Sequence, residues 1–381
     1  MGSSGADRSL GIAATALFSF ALGILAVVVP ILAIAVGYGP VEVGMIVALA
    51  AVSQLVTRVF LGLLMRKFPD KTFLVAAAFM IAISCALIVV SHALVVFVVS
   101  QLVQGSARAL FWTSSQTHAI RTSPSSVKGS TDVNLAAGLG ALLGPAIAGY
   151  LWQLSASLPL LVAASAASAA ILPAALLRKL PVFAPVHSAN GIMAEGLWRR
   201  RGVDSACWMN AGAGVWRSLL DSYIPIVLAL AGQSAIVIGI LVSVANSAVL
   251  AGSMSASWLR KQGNTTSLIT GLLATGVGVA VAGPLAGTAA AVAVALAVSG
   301  IGAGILQTVG PAIAADTVCP EERGDALALT GTVRASALFV TPVVMALLVT
   351  AVPVAAALAT VGVLITLPAA AKGTRRKERP A

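Results

Sequence analysis

Residues 42–91 read EVGMIVALAAVSQLVTRVFLGLLMRKFPDKTFLVAAAFMIAISCALIVVS. Two apolar runs, near 42–65 and 73–91, flank a short turn that carries Arg66, Lys67, Asp70 and Lys71. A hydrocarbon layer about 30 Å thick is crossed by about 20 apolar residues in a helix, and each run has that length. The unit is therefore a membrane-spanning helix, a basic turn and a returning helix. Most of the chain has this composition. Of 381 residues, 59% are hydrophobic and 9% charged, with a mean hydropathy of +1.01. A soluble domain carries about 25% charged residues. Lipid is the solvent that such a surface needs.

Apolar runs lie near 11–36, 42–65, 73–91, 94–116, 133–153 and 157–177. They resume near 206–231, 235–258, 266–286, 288–315, 325–349 and 352–371. Twelve spans use about 240 residues, so the loops are short and leave no room for a soluble catalytic domain. The expected fold is all-α, an integral membrane protein with six helices in residues 1–178, a loop at 179–205 and six more in 206–381. The interruption holds Arg178, Lys179, His187, Glu195, Arg199, Arg200 and Arg201. The net charge of +11 does not point to nucleic acid, because the basic residues fall in clusters between spans. The N-terminus, the loops after even-numbered spans and the C-terminus hold 19 of the 23 Lys and Arg, and odd-numbered loops hold none. This bias places both termini in the cytoplasm of a multi-pass cell (inner) membrane protein. Residues 1–10 are too short for a cleaved signal, so the first span is expected to be retained. Cys85, Cys207 and Cys319 imply no disulfide framework.

The two halves repeat. Pro30, Gly37 and Gly44 return as Pro225, Gly232 and Gly239 at an offset of 195. Gly105, Thr113 and Lys128-Gly129 return as Gly300, Thr308 and Arg323-Gly324 at the same offset. Duplicated six-helix halves related by an axis along the membrane normal are a known transporter architecture.

Four segments carry a likeness to one family. The turn Gly62-Leu-Leu-Met-Arg66-Lys67-Phe-Pro-Asp70-Lys71 is a degenerate form of Gly-x-Leu-x-Asp-Arg-x-Gly-Arg-Arg. Gln101-Leu-Val-Gln104-Gly105 is similar to Arg-x-x-Gln-Gly. Gly140-Ala-Leu-Leu-Gly144-Pro145-Ala-Ile-Ala148-Gly149 is close to Gly-x-x-x-Gly-Pro-x-x-Gly-Gly. Pro320-Glu321-Glu322-Arg323-Gly324 precedes span 11. Over nearly its whole length the chain resembles the major facilitator superfamily. The resemblance implies a bacterial secondary transporter working by alternating access. The span 5 signature implies proton-driven export, with Gly140, Gly144, Pro145 and Gly149 as a packing or gating face. Arg66 and Lys67 occupy the family's gating loop, but Arg66 stands where that loop has its Asp.

Four Lys or Arg residues fall inside spans: Arg58, Arg108, Arg217 and Arg334. The last three sit near mid-span, where each costs about 2.5–3.5 kcal/mol against lipid, so they are expected to face a wet cavity or partners. Gln101, Gln104, Arg108, Trp112 and Ser115 share one helix face at 3–4 residue spacing. Asn210, Gly214, Arg217 and Asp221 share another, and Thr330, Arg334 and Thr341 a third. Gln104, Arg108, Trp112, Arg217 and Arg334 are the substrate-binding candidates; a structural polar network is the alternative. Asp221 reads as the one carboxylate deep inside a span, four residues from Arg217. It is the candidate proton-coupling residue, or else a static partner that makes Arg217 tolerable.

No Gly-x-x-x-x-Gly-Lys-Ser/Thr phosphate loop occurs, and Gly300-Ile-Gly302-Ala-Gly304 follows no strand. The histidines His92, His118 and His187 read as isolated. No cofactor, metal or enzymatic constellation is expected. The leading reading is proton-coupled export of a small organic molecule by a monomer. The arginines favour an anionic substrate, so organic-anion uptake or exchange is the alternative, followed by a membrane sensor that does not transport.

Overall fold

The computed structural model describes residues 2–123, 126–182, 198, 202–319 and 323–377. His187, Glu195, Arg199, Arg200, Arg201, the stretch Pro320-Glu321-Glu322 and Arg379 lie outside the described residues. So do the side chains of Lys128, Arg323, Asp325, Arg375, Arg376 and Lys377. Among the described residues the structure is helical, with no strand. The helices are α1 (Gly2–Ala35), α2 (Pro40–Leu64), α3 (Asp70–Val90), α4 (Leu94–Thr122), α5 (Ser126–Leu154) and α6 (Leu158–Leu176). Then come α7 (Val203–Asp221), α8 (Tyr223–Leu230), α9 (Ala235–Lys261), α10 (Asn264–Ala282), α11 (Ala289–Asp316), α12 (Arg323–Val349) and α13 (Val354–Lys377). Eleven are long and apolar enough to cross a membrane, and α7 with α8, bent by 42°, make a twelfth span. The all-α, twelve-span architecture expected from the apolar runs is the one observed.

The sequence reading took span 7 as one helix over 206–231; the structure breaks it at Ser222. Proline has no N–H and its ring crowds the carbonyl four residues back, which for Pro225 is that of Asp221. Pro30, its counterpart in the first half, leaves α1 unbroken, so proline alone is not sufficient. Ser222 stands at the break. Its hydroxyl donates to the Ser218 carbonyl at 2.6 Å, while its backbone N–H turns to Leu219 at 3.3 Å. Such back-bonding competes with the helical ladder and bends it.

The internal repeat survives as geometry. After α1, Gly37 N–H donates to Ile34 C=O and Tyr38 N–H to Ala33 C=O; after α8, Gly232 donates to Ala229 and Gln233 to Leu228. Each pair is a Schellman motif, which needs a left-handed residue after the helix. Gly37 and Gly232 supply it at φ 99° and 80°.

The chain forms two compact units. The first comprises residues 1–39, 45–187 and 234–243, the second 40–44, 188–233 and 244–381. In the first unit α1 is central. Phe18 stacks on Phe111 of α4 with ring centroids 3.7 Å apart. Arg8 binds Asp132, and Lys71 donates to the Leu177 carbonyl at 3.3 Å, so the N-terminus and the loops after spans 2, 4 and 6 share one end. Tyr38 bonds the His92 carbonyl at 2.9 Å at the other end. The second unit repeats this: Arg260 pairs with Asp316 at one end, and Gln233 bonds the Ala286 carbonyl at the other. Its core holds Met209, Leu268, Leu272, Leu306 and Ile313. Helices in lipid associate through close packing and polar contacts rather than by expelling water. Hydroxyls on exposed faces are satisfied locally: Ser165 donates to Leu161 C=O at 2.8 Å and Thr360 to Ala356 C=O at 2.9 Å.

Candidate functional site

In the second unit α7 and α12 run parallel and in register. A Cβ added at Gly214 would lie 2.8 Å from the Arg334 carbonyl oxygen, and Ser218 donates to the Leu338 carbonyl at 3.1 Å. Both contacts advance by four residues on each helix. The small Gly214 brings the backbones close, and Arg217 lies about 4.5 Å further along the shared axis than the Gly214–Arg334 contact, at 1.5 Å per residue.

Arg217 Nε donates to Asp221 Oδ2 at 3.0 Å, and its Nη2 reaches Oδ1 at 2.9 Å. The guanidinium therefore lies against both carboxylate oxygens, holding Oδ2 by a hydrogen bond and Oδ1 by an ion-pair contact. Nη1 donates to Asn246 Oδ1 of α9 at 3.1 Å. The side chains are 32% and 13% exposed, so the pair is neither sealed nor freely hydrated. Arg334 Nη2 donates to Gln307 Oε1 of α11 at 3.4 Å, and Gln307 Nε2 donates to Ser253 Oγ of α9 at 3.4 Å. Ser253 also lines an open cavity of about 500 Å³ between α9 and α11, with Ser257, Thr308, Arg260 and Lys261. A polar chain thus runs from the basic end of the unit to Arg334. With two arginines and one aspartate, the group carries a net positive charge when Asp221 is ionised.

The other candidates belong to the first unit. Arg108 is half-buried on α4. Trp112, one turn on, stands edge-to-face with Phe111 at 5.8 Å and Phe18 at 6.2 Å. The Gln104 amide, 1% exposed, donates to Ser84 Oγ at 2.8 Å and Ser100 Oγ at 3.3 Å. Its nitrogen is engaged in the α3–α4 seam. A Cβ at Gly144 would lie 2.6 Å from the Phe20 carbonyl oxygen, and one at Gly140 would overlap Phe20 N. These glycines are where α5 receives α1. Pro145 touches both neighbours: its ring would lie 3.0 Å from a Cβ at Gly23, and its carbonyl meets Gly239 of α9. Gly149 meets Ala235. Arg66 and Lys67 are exposed in the turn after α2.

Sequence reading missed Asn246, Gln307 and Ser253. Mid-span amides in apolar helices were the available signal, but which arginine each would meet depends on packing. Two expectations are corrected. Asp221 is not the lone buried carboxylate: Asp7 is 6% and Asp70 2% exposed, near the starts of α1 and α3. His118 is not isolated, since it contacts both. Their separation in sequence conceals a cluster that helix packing creates.

In both units charged side chains are held on long apolar helices. A family model for the Major Facilitator Superfamily matches residues 11–259. The chain belongs to that superfamily and is a small-molecule transporter rather than an enzyme. No curated protein sequence matches it. Among solved structures it is similar to the nucleoside transporter NupG at 12% identity and a TM-score of 0.77, covering 97% of this chain and 99% of that one. It is similar to a POT family transporter in complex with a thioalcohol-conjugated peptide at 14% identity and 0.76, covering 97% and 96%. A bacterial homolog of the human lysosomal transporter Spinster, inward-facing and unoccupied, matches at 12% identity and 0.73, covering 96% of each. At such identities the likeness concerns the fold.

Proposed function

We propose that the protein exports a small organic molecule by alternating access in exchange for protons, with Asp221 as the group that carries the proton. The Arg217–Asp221 ion pair, steadied by Asn246, carries this reading. Ionised, Asp221 neutralises Arg217. Protonated, it loses the ion pair, and Arg217 keeps Asn246 as a neutral partner. The state of one proton therefore changes the charge that the site offers to a substrate. The close α1–α5 contact at Gly140 and Gly144 and the meeting of Gly149 with α9 support a packing hinge at the span 5 signature. On this reading residues 1–178 and 206–381 are the functional halves, joined by the 179–205 loop. Both termini lie in the cytoplasm and the carrier acts as a monomer in the cell (inner) membrane.

A second reading is uptake or exchange of an organic anion. The excess of arginine in the second unit favours it, as does the cavity flanked by Arg260 and Lys261 that leads to Ser253 and Gln307. An anion arriving at Arg217 would displace Asp221, which would then take up a proton, giving symport.

The test is flux in reconstituted vesicles, with a panel of substrates and an imposed pH gradient. Export by proton exchange predicts accumulation driven by the gradient in the parent. Asp221→Asn is expected to exchange substrate but to lose the response to the gradient. Accumulation at the parent rate by Asp221→Asn would remove Asp221 from the coupling step.

A further inference from the structure

At its Lys- and Arg-rich end the first unit encloses a second ionisable group. His118, near the end of α4 and 3% exposed, stands between two carboxylates. Its Nε2 lies 3.0 Å from Asp7 Oδ2 of α1, and its Nδ1 lies 3.2 Å from Asp70 Oδ2 of α3. Each carboxylate gives its other oxygen to a backbone N–H: Asp7 Oδ1 accepts from Arg178 at 2.7 Å, and Asp70 Oδ1 from Lys71 at 2.9 Å.

A neutral imidazole has one N–H and one lone pair. In either tautomer the lone pair would lie at contact distance from a carboxylate oxygen, a repulsion that burial leaves poorly screened. The geometry is satisfied when the cluster holds one proton more than a neutral imidazole and two carboxylates supply. Charge agrees. Asp7 and Asp70 are balanced by an imidazolium and by Arg121, whose Nη1 is 3.7 Å from Asp70 Oδ2. The other charged groups facing the cluster have partners of their own. Arg8 of α1 binds Asp132 of α5 at 2.7 Å, and Lys71 of α3 donates to the Ala175 and Leu177 carbonyls at 3.3 Å. Arg121 also donates to the Pro181 carbonyl at 2.7 Å.

We propose that Asp7, His118 and Asp70 form a proton-binding site, separate from Asp221, whose bound proton fastens the start of α1 to α3, α4 and the segment after α6. A cavity of about 30 Å³, bounded by Asp7, Thr15, Ser115, His118 and Asp132, adjoins the imidazole. One water needs about 10–15 Å³, so the cavity admits a water through which the proton exchanges. Loss of the proton sets a lone pair against a carboxylate and leaves Asp7 with the Arg178 N–H as its remaining bond, which loosens the first turns of α1. The site thereby makes the mobility of that helix end respond to pH.

The test uses the whole protein with 15N-labelled histidine in nanodiscs. It holds three histidines, and loss of one signal in His118→Gln assigns His118. At neutral pH the parent is expected to show both His118 nitrogens protonated, and Asp70→Asn to show a single neutral tautomer. Raising the pH until the parent signal becomes neutral is expected to lower its thermal unfolding midpoint, with no matching step in His118→Gln. A neutral, singly protonated His118 in the parent at neutral pH would overturn the proposal. If His118→Gln does not fold, the signal displaced in both Asp7→Asn and Asp70→Asn supplies the assignment. If none is displaced, the proposal fails. The spectrum is read without transport, so it is decided apart from the role of Asp221.

Discussion

Removing either partner of the Arg217–Asp221 pair should be costly, and removing both should cost little more. Breaking a sealed ion pair from one side costs about 3–5 kcal/mol, whereas an exposed pair contributes about 0–1 kcal/mol. This pair lies between, with side chains 32% and 13% exposed. Asn246 also continues to hold Nη1 when the carboxylate is gone. Asp221→Asn is therefore expected to destabilise the protein by about 2 kcal/mol, the loss of charge-assisted bonds partly offset by water. Arg217→Gln should cost a similar amount, since it leaves Asp221 without its cation. In the double variant neither charge remains, so the two losses should overlap by about 1–2 kcal/mol, within the range for side chains in contact. Thermal unfolding of the four proteins in one detergent measures the cycle. Losses that simply add would refute the pair as an energetic unit. Transport separates stability from coupling. If Asp221 carries the proton, the double variant is folded but indifferent to a pH gradient. A double variant that concentrates substrate as the parent does would show that the pair only makes Arg217 tolerable in the membrane.

Three further outcomes are expected. External thiol labelling of intact cells should reach a cysteine placed at Gly232 and not one at Ala189; labelling at Ala189 would reverse the assigned topology. Gly140→Leu should lower thermal stability by about 1–3 kcal/mol, the usual range for overpacking, because the added side chain meets the Ser19–Phe20 backbone. Gly62→Leu, where nothing lies within 4 Å, should be neutral in the same unfolding assay. Arg334→Gln should weaken inhibition of flux by organic anions while leaving insertion unchanged, and equal inhibition of variant and parent would exclude Arg334 from an anion site.

The fold was legible because lipid imposes a length on each helix and topology a sign on each loop. Neither constraint needs tertiary information. Gly37 and Gly232 were legible as equivalent positions of the repeat from their equal spacing to Pro30 and Pro225; the structure adds that both close a helix, with hydrogen bonds after α1 and α8 that agree residue for residue. The break in span 7 was less so. Pro225 has a counterpart that does not break its helix, and at the break a serine hydroxyl turns back on its own helix. Arg217 and Asp221 could be paired from sequence because they are four residues apart on one helix. Asn246, Gln307 and Ser253 could not be assigned to either arginine, since they lie on α9 and α11, far in sequence from α7 and α12.

The same distinction explains why His118 looked isolated. Asp7, Asp70 and His118 sit at the ends of three helices, separated by 63 and 48 residues. No periodicity connects them, and each alone resembles a loop residue near a basic turn. They meet because odd and even spans alternate in direction, which returns the start of α1, the start of α3 and the end of α4 to one level. The topology that sorts the basic residues to one end therefore also gathers these acids there. A cluster so formed needs no signature in any single segment. In a chain of this kind, carboxylates and histidines at helix ends that share one face of the membrane are better read as a set, helix by helix, than as separate caps.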